Sequence, residues 1–387
     1  MFDVVARYQG RIDAAKDRLA RVWRGENRDR PAFVFGDVNY ALCGQYDVPD
    51  DYYTPAKMFA YQAAKIERHM AQIDDDYLPV LYPWFGTAVL PSALGVAVRF
   101  HKGMDPEADG FVVTEPGDVG RLELPDPNSA GLMPAVLEAI DYFRANSDAA
   151  VSVTDTQGPL TLALTLAGVE TLFVWMYEQP GAVHALLDFC TEALIQWLRV
   201  QKAHAGHQIA GDAWPHAIGL PAGFGGVAFS DDDMTAISAQ HYREFVMPRN
   251  EKLLGAFGGG TIHMCGSARH QIENVLATRG CTGVNNFLMG DYGQARLLRE
   301  GLRGRGALMA CDFNALDIPA HCEALRQAFD DPAGAVVSVL IAPTMALVGD
   351  KYVVSARTTD DIVEQYVSLL SGQRPDSGSW VGRFSPQ

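Results

Sequence analysis

The chain has 387 residues, of which 48% are hydrophobic and 20% are charged, and its formal net charge is −16. This composition is typical of a folded protein with a substantial core, so disordered and fibrous classes are excluded. An acidic excess of this size argues against a surface that binds nucleic-acid phosphates.

Membrane insertion and export are also disfavoured by the sequence. The longest uncharged run, residues 77–98, contains three prolines and two glycines, which a spanning helix rarely carries. The N-terminal segment is amphipathic and has no apolar signal core. The six cysteines form no CxxC motif. We therefore expect reduced thiols in a cytoplasmic protein with no membrane partner.

Short apolar runs alternate with helical patterns along most of the chain. The predicted strands cover residues 32–37, 76–84, 150–155, 207–212, 260–265, 283–287, 306–312 and 335–342. The predicted helices cover residues 3–25, 55–73, 132–146, 181–205, 241–257, 267–278, 294–302, 319–329 and 360–370.

This alternation predicts an α/β protein with a single (β/α)8 TIM barrel over residues 31–372. Eight strand–helix units favour a closed parallel barrel, and no GxGxxG follows the first strand to indicate an open dinucleotide-binding sheet. An N-terminal helical extension (residues 1–30) precedes the barrel. Residues 85–125 are predicted as an insertion of loops and small strands, and residues 373–387 as a C-terminal tail.

Polar and aromatic residues end most of the predicted strands, where barrel enzymes place their active sites. This concentration favours an enzyme, or a barrel that binds a small molecule without catalysis, over a purely structural barrel. Asp212 and Asn285 are candidate catalytic residues that would position a substrate. The candidate substrate-binding residues are Asp37, Tyr82, Asp155, Trp214 and Asn286.

The clearest local signal is the pair His263 and Cys265. Residues two apart in a strand point to the same side, and imidazole with thiolate suits zinc. Cys311 ends the seventh predicted strand and is the candidate third ligand. In the alternative interpretation the cysteines are small buried hydrophobes and the histidine binds substrate. Cysteines 43, 190, 281 and 322 are expected to be structural.

Several carboxylates and aromatic residues allow two interpretations. Asp155 and Asp212 could act on substrate, serve as acid or base, or fill a zinc position, but each could instead cap the following segment. For Asp155 the capping role is at least as well supported. The acidic run at residues 231–233 is expected to cap a helix rather than to bind metal. Tyr82 and Trp84 could form a stacking wall or pack in the core.

Taken together, the strand ends and helices resemble the uroporphyrinogen decarboxylase-like superfamily across roughly residues 130–370. The resemblance implies a (β/α)8 barrel. The matching stretches are Asp155-Thr-Gln-Gly-Pro-Leu, Tyr177-Glu-Gln-Pro-Gly-Ala-Val-His, Asp212-Ala-Trp, Tyr242-Arg-Glu-Phe-Val-Met-Pro248 and Ile262-His-Met-Cys-Gly266.

The decarboxylase branch of this superfamily carries an arginine-rich segment of the type PxWxMRQAGR and an essential aspartate after the second strand. Here the first strand reads Pro31-Ala-Phe-Val-Phe-Gly-Asp-Val-Asn39 and contains no arginine. The second ends with Leu81-Tyr-Pro-Trp84 and contains no aspartate. A polycarboxylate substrate would lack its arginine partners. A metal-free lyase acting on another carboxylated substrate is therefore the alternative function.

The other branch contains corrinoid-dependent methyltransferases, whose H-x-C pair binds zinc, and His263 with Cys265 matches that pair. The family's third ligand is usually a cysteine near the last strand, but here that region reads Leu340-Ile-Ala-Pro-Thr-Met345. Cys311 or a carboxylate would have to replace it.

The resemblance implies transfer of a methyl group between a small molecule and the cobalt of a corrinoid. The small molecule could be a thiol, a methoxylated compound or a folate. No D-x-H-x-x-G corrinoid motif occurs in the sequence, so methylcobalamin is expected on a separate corrinoid protein. A homodimer through the N-terminal helix is a further expectation.

Overall fold

The computed structural model describes residues 1–37, 54–100, 105–206, 211–213, 218–220, 223–342, 345–349, 351–354 and 359–370. The strands in these ranges are Ala32–Asp37 (β1), Val80–Leu81 (β2), Ala97–Arg99 (β3), Glu107–Asp109 (β4), Ala150–Val151 (β5), Gly211–Ala213 (β6), Ile218–Leu220 (β7), Val227–Ser230 (β8), Gly260–Cys265 (β9), Cys281–Phe287 (β10), Ala307–Phe313 (β11), Ala335–Ile341 (β12), Met345–Val348 (β13) and Lys351–Val354 (β14).

Helices connect most of the strands. They are Val4–Trp23 (α1), Pro55–Gln72 (α2), Val89–Ala93 (α3), Met133–Asn146 (α4), Pro159–Ala167 (α5), Val169–Glu178 (α6), Pro180–Ala205 (α7), Ala239–His241 (α8), Met247–Ala256 (α9), Ile272–Ala277 (α10), Tyr292–Leu302 (α11), Ile318–Ala328 (α12) and Thr359–Leu370 (α13). A π-helical turn, Tyr242–Val246, joins α8 to α9. Short 3-10 turns occupy Gly86–Ala88, Pro116–Arg121, Asp232–Ala236 and Arg269–Gln271. Within the described ranges, no individual helix is long and apolar enough to cross a bilayer. The bent pair α5 and α6 reaches the required length and composition only when the two helices are counted together.

The centre of the fold is a six-stranded parallel sheet with the order β1-β12-β11-β10-β9-β8. All seven residues of β12 and all four of β8 are buried, as expected of parallel strands covered on both faces. The predicted α/β class is therefore confirmed. The predicted insertion segment contains the antiparallel pair β3 and β4.

The fourth strand of this sheet differs from the prediction. Residues 211–213, at the end of the predicted run, pair antiparallel with β7, so Asp212 does not end a strand of the parallel sheet. β8 takes that place instead and lies beside β9. The prediction failed because β8 directly follows a glycine-rich stretch that is typical of a loop. Gly225 has a φ of 108°, and a Cβ there would lie 2.4 Å from the backbone of Gly259, so only glycine fits.

Two further strands, β2 and β5, pair in parallel with each other. The segment that precedes β2 and the segment that follows β5 form backbone hydrogen bonds with the two edges of the six-stranded sheet. At one edge, the N–H of Asp76 donates to the carbonyl of Phe33 (2.8 Å). At the other, the N–H of Ser230 donates to the carbonyl of Thr156 (2.9 Å), and the N–H of Gly158 donates to the carbonyl of Ser230 (2.6 Å).

The close contact between β8 and β9 gives a stability prediction. A Cβ on Gly260 would lie 2.1 Å from the carbonyl oxygen of Val227, so Gly260→Ala should destabilise the fold by about 1–3 kcal/mol through overpacking. Gly10, inside α1, has nothing within 4 Å of a built Cβ, and Gly10→Ala should stabilise by about 0.5–1 kcal/mol. Urea unfolding measures both, and equal stability of the two variants would contradict the register described here.

Candidate functional site

Three potential metal ligands meet where β8 and β9 end. Asp232 begins the 3-10 turn just after β8, while His263 and Cys265 lie two residues apart on β9. One ligand atom from each lies within 4.8 Å of the others. His263 Nε2 is 3.4 Å from Cys265 Sγ and 3.5 Å from Asp232 Oδ1. We call this group the DHC cluster.

A hydrogen-bond relay from β11 to β9 sets the orientation of the His263 ring. The Nδ2 of Asn285 donates to the carbonyl of Met309 (3.0 Å), so its Oδ1 is the acceptor facing Nδ1 of His263 at 2.5 Å. Nδ1 therefore carries a proton, and Nε2 is the ring nitrogen that faces Asp232 and Cys265. This is the tautomer that a metal-ligating histidine adopts when a neighbour holds its other nitrogen.

Cys265 differs from the other described cysteines. Cys190, Cys281, Cys311 and Cys322 are buried, whereas Cys265 is exposed. Partial desolvation of its Sγ and the negative charge of Asp232 raise the pKa of the thiol above its usual value. The backbone N–H of Cys265 also donates to Asp232 Oδ1 (2.6 Å). A cation at this position would offset the negative charge of Asp232 and favour the thiolate.

Asp155 and Trp84 are linked to the DHC cluster through Asp232 and Asp105. Burial raises the pKa of Asp155 to about 7, and the negative charges of Asp232 and Asp105 add to this effect. Gln157 Nε2 donates to Asp155 Oδ2 (2.6 Å), and Trp84 Nε1 donates to Asp105 Oδ1 (2.8 Å). Asp155 does not cap α5, whose N-cap is Gly158, but its carboxylate accepts a hydrogen bond from the backbone N–H of Thr156, so a capping role in the loop before α5 stays a prediction.

Tyr82 and Asn286, two other predicted residues near the sheet, bond to groups outside the DHC cluster. Tyr82 is buried, and Gln62 bonds to both its backbone N–H (2.8 Å) and its carbonyl (2.6 Å). Asn286 donates to the carbonyls of Met264 and Gly266 (each 3.1 Å) and accepts from Gln294 of α11 (3.0 Å). The structure therefore gives Asn286 a part in joining β9 and β10 to a helix. Substrate binding by Tyr82 and Asn286 stays a prediction.

Cys311 is buried and does not belong to the DHC cluster. Phe287 of β10 is in register with Cys265 on one side and with Cys311 on the other. A complete strand therefore separates the two cysteines, which corresponds to about 10 Å across the sheet. The third corner of the cluster is Asp232, and the role of Cys311 as a ligand stays a prediction.

Two predicted residues can be placed only in part. Asp37 ends β1 and Asp212 lies in β6, where it is in register with Gly219. Trp214 and Cys43 lie outside the described residues.

Asp232 is the member of the site that sequence reasoning missed, because the acidic run was expected to cap a helix. No side chain caps the 3-10 turn, and the three carboxylates diverge. Asp231 points to Tyr242 and Asn250, Asp232 belongs to the DHC cluster, and Asp233 accepts from Thr161 Oγ1 (2.7 Å). The sequence feature that could have identified Asp232 is the apolar run Val227-Ala-Phe-Ser230, which indicates a strand that ends directly before these aspartates.

Comparison with known proteins agrees with this architecture. The family described as uroporphyrinogen decarboxylase (URO-D) matches residues 14–287. A methylated-thiol–coenzyme M methyltransferase of Methanosarcina mazei is 28% identical over 189 residues, which is 48% of this chain and 46% of that protein. A uroporphyrinogen decarboxylase of Vibrio campbellii is 32% identical over 133 residues, 32% of this chain and 37% of that protein.

These matches span less than half the length of the two relatives. A solved methyltransferase structure from Methanosarcina mazei superposes with a TM-score of 0.67 at 17% identity, over 92% of this chain and 98% of the other. This likeness shows a shared fold. The superfamily predicted from the sequence is confirmed, and the chain belongs to the uroporphyrinogen decarboxylase (URO-D) family.

Proposed function

We propose that this chain is a methyltransferase that moves a methyl group between a small molecule and the cobalt of a separate corrinoid protein, assisted by zinc at the DHC cluster. The observation that carries the proposal is the convergence of carboxylate, imidazole and thiol on one point, with Nε2 of His263 facing it. The similarity to a methyltransferase over part of the chain supports the reaction class.

We also propose that the parallel strands close into a barrel. The six-stranded sheet and the pair β2 and β5 together supply eight strands, and the segments that flank the pair form backbone hydrogen bonds with both edges of the sheet. Because parallel barrels place their active sites at the carboxyl ends of the strands, the DHC cluster would lie at the mouth.

The donor set fits zinc. Catalytic zinc sites have three protein ligands of N, S or O type and leave one position open for water or substrate. The carboxylate of Asp232 would replace the cysteine that this family usually supplies near its last strand. Zinc bound there would supply Lewis acidity that lowers the pKa of a thiol substrate.

The surrounding residues would bind and orient the methyl donor or acceptor. Asp155, with a pKa near 7, can accept or donate a hydrogen bond near neutral pH. Trp84 is buried in the core and would act by holding Asp105 through its Nε1. Asn285 would act by orienting His263 rather than by touching the substrate. A catalytic role for Asp212 in positioning the substrate is part of the proposal, as are substrate-binding roles for the remaining predicted residues, which are Asp37, Tyr82, Trp214 and Asn286.

The proposal is tested by mixing zinc-loaded protein with cob(I)alamin, free or protein-bound, and a series of methyl donors. We expect the methylcobalamin spectrum to appear with one donor class, and the reverse reaction with thiols or folates to remove it. No transfer in either direction, together with release of carbon dioxide from a carboxylated substrate by zinc-free protein, would overturn the proposal in favour of the decarboxylase alternative.

A buried amide provides a separate test of the metal site. Asn285→Leu removes the acceptor that holds Nδ1 of His263, so zinc affinity should fall by about 10–100-fold, the effect typical of outer-shell partners. Asn27→Leu is the matched control, because this asparagine is also buried but bonds to the carbonyls of Arg30 and Pro332 rather than to His263. Competition with a chromophoric chelator measures the affinity of each variant. Equal zinc affinity in Asn285→Leu and the wild type would contradict the relay.

A further inference from the structure

A buried carboxylate next to the DHC cluster has no role in the function proposed above. Asp231 is fully buried, and its Oδ2 accepts hydrogen bonds from the hydroxyl of Tyr242 (3.0 Å) and from Nδ2 of Asn250 (2.6 Å). Its backbone N–H donates to the carbonyl of His263 (2.9 Å). The residue is thus tied both to β9 and to the helical segment that follows β8.

The shape of that helical segment explains how two of its residues reach one oxygen atom. Residues eight apart in a regular α-helix are separated by about 80° around the axis. Between Tyr242 and Asn250 the π-helical turn Tyr242–Val246 intervenes. Its wider i→i+5 turns reduce that separation and bring the two side chains to one face. Pro248 has no N–H to donate to the carbonyl of Glu244, which favours the wider turn.

We infer that Asp231, Tyr242 and Asn250 form a clamp that positions Asp232 as a metal ligand. The inference rests on the proposed zinc site. Asp232 is not part of an α-helix, because it begins a short 3-10 turn. Its carboxylate accepts from the backbone N–H of Cys265, and its position also depends on its neighbours. Of these, Asp231 is the fully buried one and is held by two side chains, Tyr242 and Asn250. We call these three residues the aspartate clamp.

A clamp that acts through Asp232 differs in its effects from a buried network that only stabilises the fold. Loss of the Tyr242 hydroxyl frees Asp231 to shift, and the adjacent Asp232 carboxylate then loses its alignment with His263 and Cys265. A ligand held in the wrong place weakens the binding of zinc even in a fully folded protein. A purely structural network would instead lower stability and leave the zinc affinity of the folded protein unchanged.

Tyr242→Phe tests the clamp, because it deletes one hydroxyl and keeps the ring. We expect its zinc dissociation constant to rise by about 10-fold, measured by chelator competition on the full chain. In an Asp232→Ala background the same change should have no further effect, since a double-mutant cycle reports coupling between the two positions. Asn250→Ala removes the other donor to Asp231, should also weaken zinc binding, and replaces Tyr242→Phe in the cycle if that variant does not fold.

Tyr366→Phe is the matched control. Tyr366 is also fully buried, and its hydroxyl bonds to the N–H of Ala315 (2.9 Å) and to His321 (2.5 Å) rather than to Asp231. It should lower thermal stability without changing zinc affinity. Wild-type affinity in Tyr242→Phe, or an equal loss with and without Asp232, would overturn the clamp. Absence of zinc binding in the wild type would instead refute the proposed function, so the two failures can be told apart.

Discussion

Replacing both His263 and Cys265 with alanine should reduce methyl transfer by at least about 1,000-fold. The metal is proposed to contribute several kcal/mol, and about 4 kcal/mol corresponds to that factor in rate. The two side chains supply two of the three atoms of the DHC cluster. Formation of methylcobalamin, followed by its visible spectrum, measures the loss, and circular dichroism checks that the helices remain.

Cys311→Ala is the control for this experiment and also tests the third ligand predicted from the sequence. Because Phe287 lies between Cys311 and Cys265 in the sheet, we expect this variant to keep both zinc and activity. Activity that survives the double substitution would remove the metal from the mechanism. Loss of zinc in Cys311→Ala would restore that cysteine as a ligand.

The second large effect concerns Asp232. Asp232→Ala removes the carboxylate of the cluster, so zinc affinity should fall by more than about 100-fold, the upper end for outer-shell partners. Asp233→Ala is a matched change one residue away, where the carboxylate bonds to Thr161 instead. It should leave the affinity within a few-fold of wild type. Chelator competition on both variants measures the difference.

A lower zinc affinity in Asp233→Ala than in Asp232→Ala would mean that the acidic turn is arranged differently around the metal. An equal and small effect of both substitutions would mean that the third protein ligand comes from elsewhere. In either case the pair His263 and Cys265 would remain as the core of the site.

Much of the second half of the fold was predictable from the sequence. The strands at residues 260–265, 283–287, 306–312 and 335–342 were predicted nearly as they occur, because buried parallel strands are continuous apolar runs. The same strands place His263 and Cys265 on one side, as their spacing predicts. Two of the three cluster residues therefore follow from local pattern alone.

The remainder depends on information that local pattern does not carry. β8 has four residues and directly follows glycines, so the longer run ending at Asp212 was the stronger strand signal. Asp232 was consequently assigned to a cap. The part of Asn285 in orienting His263 could not be predicted from the sequence either, because the direction of its hydrogen bond to His263 is set by a carbonyl on a third strand. Tertiary contacts decided each of these points.

The zinc content of the protein purified without chelators tests the central claim most directly. We predict about one zinc ion per chain in the wild type, as expected for a site with three protein ligands, and none in the variant that lacks both His263 and Cys265. Zinc retained by that variant, or a wild-type protein that takes up no zinc even when it is supplied, would contradict the account.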